Sequence, residues 1–261
     1  MKRLFCLLMV LLLAVGLLAC GQNEEETKTP ETTPAPTEPE IENGIIKGDM
    51  HPYIGTKKAT LNPTVEPIVV DGEMDEQYEL VGTKISLDEF NLYYWGVEPQ
   101  NQSAEVYMTY DKDYLYLYVE VEDDNIDYSG GPVWEKDSLG VILDFGYNRK
   151  KESYKTVGGD QIGYVNIACD ESYEYYMVYL AKYYSDKIAY RSKILNGKYT
   201  IEMQLPFLVE FKGEKVGFEV INCDSQNGGR VGVRTWNIDG YEMHEYTHCT
   251  GTLEFAVNLW Q

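Results

Sequence analysis

From Tyr114 to Glu122 the side chains alternate without a break. Leu115, Leu117, Val119 and Val121 fall on one side, and Tyr116, Tyr118, Glu120 and Glu122 on the other. An extended strand separates such a period-two pattern onto two faces, because successive Cβ atoms point to opposite sides of the pleat. The apolar face must then be covered by a second layer, which commits the chain to packed sheets. Residues 199–205 repeat the pattern, with Tyr199, Ile201, Met203 and Leu205 opposite Thr200, Glu202 and Gln204. Further strands are expected at 104–110, 138–145, 161–169, 175–181, 188–194, 216–223 and 251–257. Turn signals separate them at Asp111-Lys112-Asp113, Ser129-Gly130-Gly131-Pro132, Gly158-Gly159-Asp160, Asn196-Gly197 and Asn227-Gly228-Gly229. Many short strands and no long helical stretch predict an all-β fold, an antiparallel, jelly-roll-like β-sandwich.

The first 44 residues follow other rules. Lys2 and Arg3 precede an apolar run from Leu4 to Leu18, which ends in Leu17-Leu18-Ala19-Cys20. The run is shorter than the roughly 20 residues a spanning helix needs, and its charged start and small-residue end are those of an export signal. Residues 1–19 are therefore expected to be a lipoprotein signal peptide, cut before Cys20, whose thiol would carry lipid. The chain would sit at the cell membrane, lipid-anchored on the extracytoplasmic face. Residues 20–44, rich in Thr, Pro and Glu, lack the apolar surface to fold and predict a disordered tether. Residues 45–261 read as one domain.

The formal net charge is -21. Such a surface repels nucleic-acid phosphates, so no nucleic-acid partner is expected. With Cys6 in the signal and Cys20 acylated, Cys169, Cys223 and Cys249 remain in the domain. An odd number cannot pair completely, the spacing does not choose a pair, and no CxxC suggests zinc.

The chain holds 23 tyrosines, many at the polar phase of the strands. They have two readings: half-buried residues with high strand propensity, or a platform on which sugar rings stack. Composition alone does not separate these.

Six pieces in order along the domain resemble the family 9 carbohydrate-binding modules attached to bacterial xylanases. They are PIVVDGEMDEQYE from Pro67, YDKDYLYLYVEVEDDNI from Tyr110, VWEKDSLGVILDF from Val133, NGKYTIEMQLPF from Asn196, VGFEVINCDSQNGGRVGVRTWNIDG from Val216 and GTLEF from Gly251. The resemblance implies a β-sandwich whose pocket clasps a sugar between two tryptophans. The first falls on Trp134. The second falls near His244, in a loop that offers Tyr241, His244 and Tyr246 instead. The family's acid and arginine would sit at Gly140 and Tyr164, so both are replaced here. Tyr164 and Asn237 join the ligand-binding candidates. The family also implies structural calcium, held by hard oxygen ligands, with Asp71, Glu73, Asp75 and Asp123 as metal candidates among the acids of the two matching clusters, which also include Glu122 and Asp124.

The expected function is glycan binding without catalysis, recognising oligosaccharide ends and serving polysaccharide capture or catabolism beside a separate glycoside hydrolase or transporter. Three alternatives stay open. A glycosidase would need two facing carboxylates, for which Glu135 and Asp137 are the pair on offer. A haem module would need axial His or Met ligands, and His51, His244 and His248 are the only histidines. An adhesive protein with a degenerate pocket would need neither.

Overall fold

The computed structural model describes residues 41–42, 45–46, 55–90, 102–147, 162–170, 175–178, 187–207, 211–237 and 247–260. The signal, Cys20 and most of the tether lie outside these residues. At the start, β1 (Ile41–Glu42) and β2 (Ile45–Ile46) pair with each other.

Two larger sheets follow. One has the order β11-β12-β7-β6-β4 and is antiparallel throughout, with β4 (Thr83–Ser86), β6 (Gln102–Tyr110), β7 (Tyr114–Asp123), β11 (Ala189–Leu195) and β12 (Lys198–Pro206). The other runs β10-β9-β8-β13-β14-β5, made by β5 (Glu89–Phe90), β8 (Ser138–Asp144), β9 (Ile162–Ala168), β10 (Tyr175–Val178), β13 (Lys215–Gln226) and β14 (Gly229–Thr235). β15 (Gly251–Phe255) pairs with the first part of β13, and β3 (Lys58–Leu61) lies parallel to β15. The antiparallel expectation therefore holds except for this one ladder. Lys58–Leu61 is too short to announce itself, and its alternation of exposed and buried residues appears only once β15 is beside it.

The core lies between the sheets. Leu115, Leu117, Val119 and Val121 of β7 are all fully buried, and each contributes roughly 1.5–3 kcal/mol on burial. They meet Leu139, Val141 and Leu143 of β8 and Phe218 and Val220 of β13 in one cluster. Inward and outward positions in both sheets follow from this alternation.

The outer face of the five-stranded sheet settles the tyrosine question for that sheet. Tyr116 and Tyr118 are each only 5% exposed, packed with Ile68 and Tyr78. Tyr78 belongs to the short helix α1 (Glu76–Leu80), which Asp75 caps by accepting from the Gln77 N–H at 2.8 Å. Glu202, outward on β12 and fully buried, accepts from the N–H groups of Asp71 (2.7 Å) and Gly72 (2.8 Å) and from the Tyr78 hydroxyl (3.2 Å). Gly72, at φ +84°, permits the turn that aims both N–H groups at one carboxylate. These tyrosines are thus the floor beneath the 65–82 segment and not an open platform.

Candidate functional site

Trp134 lies on a single 3-10 turn, Val133–Glu135, which packs against β8, β9, β10, β13 and β14. Val133 is the buried anchor of the turn and Trp134 is half-buried. The turn is fixed at several points. Ser225 Oγ donates to the Glu135 carbonyl at 2.6 Å, and Asp137 accepts from the Ser225 N–H at 2.7 Å and the Asp127 N–H at 2.5 Å. Asp127 in turn accepts from the Gly228 N–H at 2.8 Å, in the β13–β14 turn. That turn is Asn227-Gly228, with φ +55° and +77°, the two-residue form that suits a twisted hairpin. A Cβ on Gly130 would stand 2.6 Å from the Glu135 carbonyl oxygen, so the loop before Trp134 can pass this close only as glycine.

Beside this turn, the outer face of the eight-stranded sheet departs from the charged lining that the resemblance implies. Gly140 on β8 stands opposite Asn166 on β9 and diagonal to Tyr164, and a Cβ at 140 would lie 3.0 Å from Tyr164 Cε2. Tyr164 is 7% exposed, and its hydroxyl accepts from Asn166 Nδ2 at 3.1 Å. It packs with Ile142, Ile221, Cys223, Val233 and Cys249. The tyrosine ring thus fills the space that an acid at 140 would need. Ser138 Oγ and Asn166 Oδ1 share this face, are buried, and have no hydrogen-bond partner among the described residues. Such atoms are costly unless something else satisfies them. Asn166 gave no signal in the sequence, because an outward asparagine in a strand looks solvated until its neighbours are known.

The other sequence candidates are distributed as follows. Asn237 is 1% exposed; its amide nitrogen donates to Glu219 at 3.0 Å and its oxygen accepts from the Lys57 N–H at 2.9 Å, so it joins strands and does not face a ligand. Tyr241, His244 and Tyr246 lie outside the described residues, as does His51. His248 is 1% exposed, with Nε2 3.6 Å from Cys249 Sγ. Cys169, Cys223 and Cys249 are buried and form no disulfide among the described residues. Asp137 is fully buried and accepts from two backbone N–H groups, so Glu135 and Asp137 do not form a facing pair around a cleft.

The metal candidates separate in the same way. Asp71 accepts from the Glu73 N–H, Glu73 pairs with Lys193 at 2.9 Å, and Asp75 caps α1, which leaves these three in local roles. Asp123 instead meets Asp137 and Asp224, all buried, with one oxygen of each within 4.8 Å of the others. The trio links the sheets: Asp123 ends β7, Asp137 precedes β8, and Asp224 lies in β13. Asp224 Oδ2 is buried with no hydrogen-bond partner among the described residues. Gln102 Nε2 donates to Asp123 Oδ2 at 2.9 Å, leaving its own Oε1 unpartnered. Burial first, and then the charge of Asp123, pushes Asp137 up to about 8 and Asp224 up to about 6, the latter against the opposing charge of Arg234. All-oxygen donors that repel one another suit a hard divalent cation such as calcium.

Comparison with known proteins places this geometry. Residues 70–256 match the family described as carbohydrate family 9 binding domain-like. Over 171 residues the chain is 26% identical to exoglucanase XynX of Acetivibrio thermocellus and 24% identical to endo-1,4-beta-xylanase A of Thermoanaerobacterium saccharolyticum. Each alignment takes in 64% of this chain but only 14% of the relative, so the chain spans a small part of those proteins. Among solved structures, the fold is similar to a family 9 carbohydrate-binding module from Caldicellulosiruptor kristjanssonii in complex with cellotriose. The TM-score is 0.64 at 16% identity, covering 76% of this chain and 93% of that one. The glucose complex of a module from the same organism gives 0.60 at 17% identity, covering 76% and 95%. On the extent of the family match and the shared sandwich, the chain belongs to the carbohydrate family 9 binding domain-like family.

Proposed function

We propose that the chain is a glycan-binding module, held at the extracytoplasmic face of the cell membrane by lipid on Cys20, that captures oligosaccharide or polysaccharide ends without catalysis. It would supply a separate glycoside hydrolase or transporter. The observation that carries this reading is Trp134, a half-buried tryptophan on a clamped turn in a sandwich of this family. An indole face takes the C–H side of a pyranose. Cellotriose and glucose, the ligands named for the Caldicellulosiruptor kristjanssonii modules, are the natural first probes. A disaccharide, at about -0.3 kcal/mol per heavy atom, should bind no tighter than micromolar. A glycan array screened with the whole chain should give a neutral-sugar signal that Trp134→Ala abolishes. A signal that survives this substitution would refute the assignment of the site.

In this reading calcium is structural, held by Asp123, Asp137 and Asp224. It would supply positive charge between buried carboxylates and fix the loop that carries Trp134 to both sheets. Adding calcium should raise the melting temperature, a chelator should reverse this, and Asp224→Asn should remove the response. An unchanged melting temperature in the unsubstituted chain at millimolar calcium would exclude such a site.

A further inference from the structure

A second recess opens at the other end of the sandwich. It is bounded by the β6–β7 turn at Lys112, while the Trp134 loop follows the far end of β7; ten residues of β7 at about 3.3 Å each separate the two by roughly 30 Å. The cavity measures about 380 Å³, and its lining includes Lys112, Asp113, Lys187, Phe207, Leu259 and Trp260. That volume falls within the range of small-ligand sites.

Trp260 is set rigidly in this wall. Its ring stacks on Tyr110 with centroids 5.9 Å apart and planes 19° apart, and meets Phe207 edge-on at 4.9 Å. Its Nε1–H donates to the Lys112 carbonyl at 2.9 Å. The indole is half-buried, with the exposed side chain of Leu259 beside it. A ring held by so many neighbours loses little freedom when a ligand stacks on it.

The charge at this mouth runs against that of the molecule. In a chain of net charge -21, this recess is lined by two exposed lysines, Lys112 and Lys187, and by one acid, Asp113. The Lys112 ammonium is 3.9 Å from Asp113, a loose pair with both side chains largely in water. At physiological ionic strength charges more than about 8 Å away are largely screened, so a ligand entering the recess meets two cations and one anion there and little of the acidity of the rest of the chain.

We infer that this recess is a second carbohydrate site, selective for sugars bearing a carboxylate: a uronic acid residue stacked on Trp260 with its carboxylate between Lys112 and Lys187. It is separate from the neutral-sugar site proposed at Trp134. The test is calorimetric titration of the full chain with trigalacturonate, with cellotriose as the neutral control. The lysines are substituted instead of Trp260 because the indole also closes the end of the core. Trigalacturonate should bind, Trp134→Ala should leave that binding unchanged, and the double variant Lys112→Gln with Lys187→Gln should weaken it by about tenfold or more. No heat with trigalacturonate would overturn the proposal, as would binding that ignores the lysine substitutions. Loss of trigalacturonate binding on Trp134→Ala would also overturn it, by assigning the acidic sugar to the other site.

Discussion

A side chain added at position 140 would meet the ring of Tyr164, with its Cβ 3.0 Å from Cε2 and 3.3 Å from the hydroxyl oxygen. The two departures from the family pattern are therefore coupled, since the small residue makes room for the large one. Gly140→Glu alone should destabilise the chain by about 1–3 kcal/mol through overpacking, and by much less in a Tyr164→Ser background. Urea unfolding of the double-mutant cycle measures this, and simple additivity would contradict the coupling. The resemblance pointed to both positions, but only the folded β8 and β9, which set Tyr164 diagonal to Gly140 and lay its ring over it, show that they touch. Glu219 is a second instance of a residue that sequence leaves silent. Fully buried, it accepts from the N–H groups of Trp236 and Asn237 and from the Asn237 amide, and burial pushes it up to about 8 against those donors. With the folded value above the unfolded one, the unfolded chain holds fewer protons between about pH 4.5 and 8. Glu219 should thus lower stability as pH rises through that window, by at most about 1.4 kcal/mol per unit. Unfolding followed from pH 5 to 8 should show a shallower fall in Glu219→Gln, and identical slopes would reject this.

Among the elements, the segment from Asp71 to Leu80 depends most on a single side chain. Glu202 receives two backbone N–H groups and the Tyr78 hydroxyl, and Thr200 Oγ1 donates to the Gly72 carbonyl at 2.9 Å. Glu202→Ala leaves buried donors without an acceptor and should cost about 3 kcal/mol or more. Hydrogen exchange should then show faster exchange at Asp71, Gly72 and Tyr78 than in β7, whereas uniform protection would refute the docking role. The strands that alternate, such as β7 and β12, were legible because each presents one apolar face to one core. β3, β4 and β5 were not, because four residues or fewer carry too little periodicity to stand out. Helix α1 has only five residues, and what defines it is the Asp75 cap and the burial of Tyr78. The acid trio was half legible: Asp123 stood in a recognisable acidic run, but Asp224 lies one residue past the strand as read from the sequence, and nothing before folding brings it to Asp137.

At the scale of the whole molecule, the sandwich holds its two sheets together with an apolar middle and sets different chemistry at its ends. One end carries the Trp134 turn and the three buried aspartates that span both sheets. The other carries Trp260 and two lysines. The curated relatives use a stretch like this for 14% of their length, and here it follows a short acidic leader segment in which Cys20 is the proposed lipid site. Two independent sites on one body would give a polysaccharide of mixed neutral and acidic residues more than one point of attachment, and avidity that neither site has alone. The sugar-binding reading comes down to one ring, and calorimetric titration of cellotriose into the unsubstituted chain and into Trp134→Ala examines it. We predict saturable binding in the former and none in the latter at equal folded stability; equal binding by both, or none by either, would contradict it.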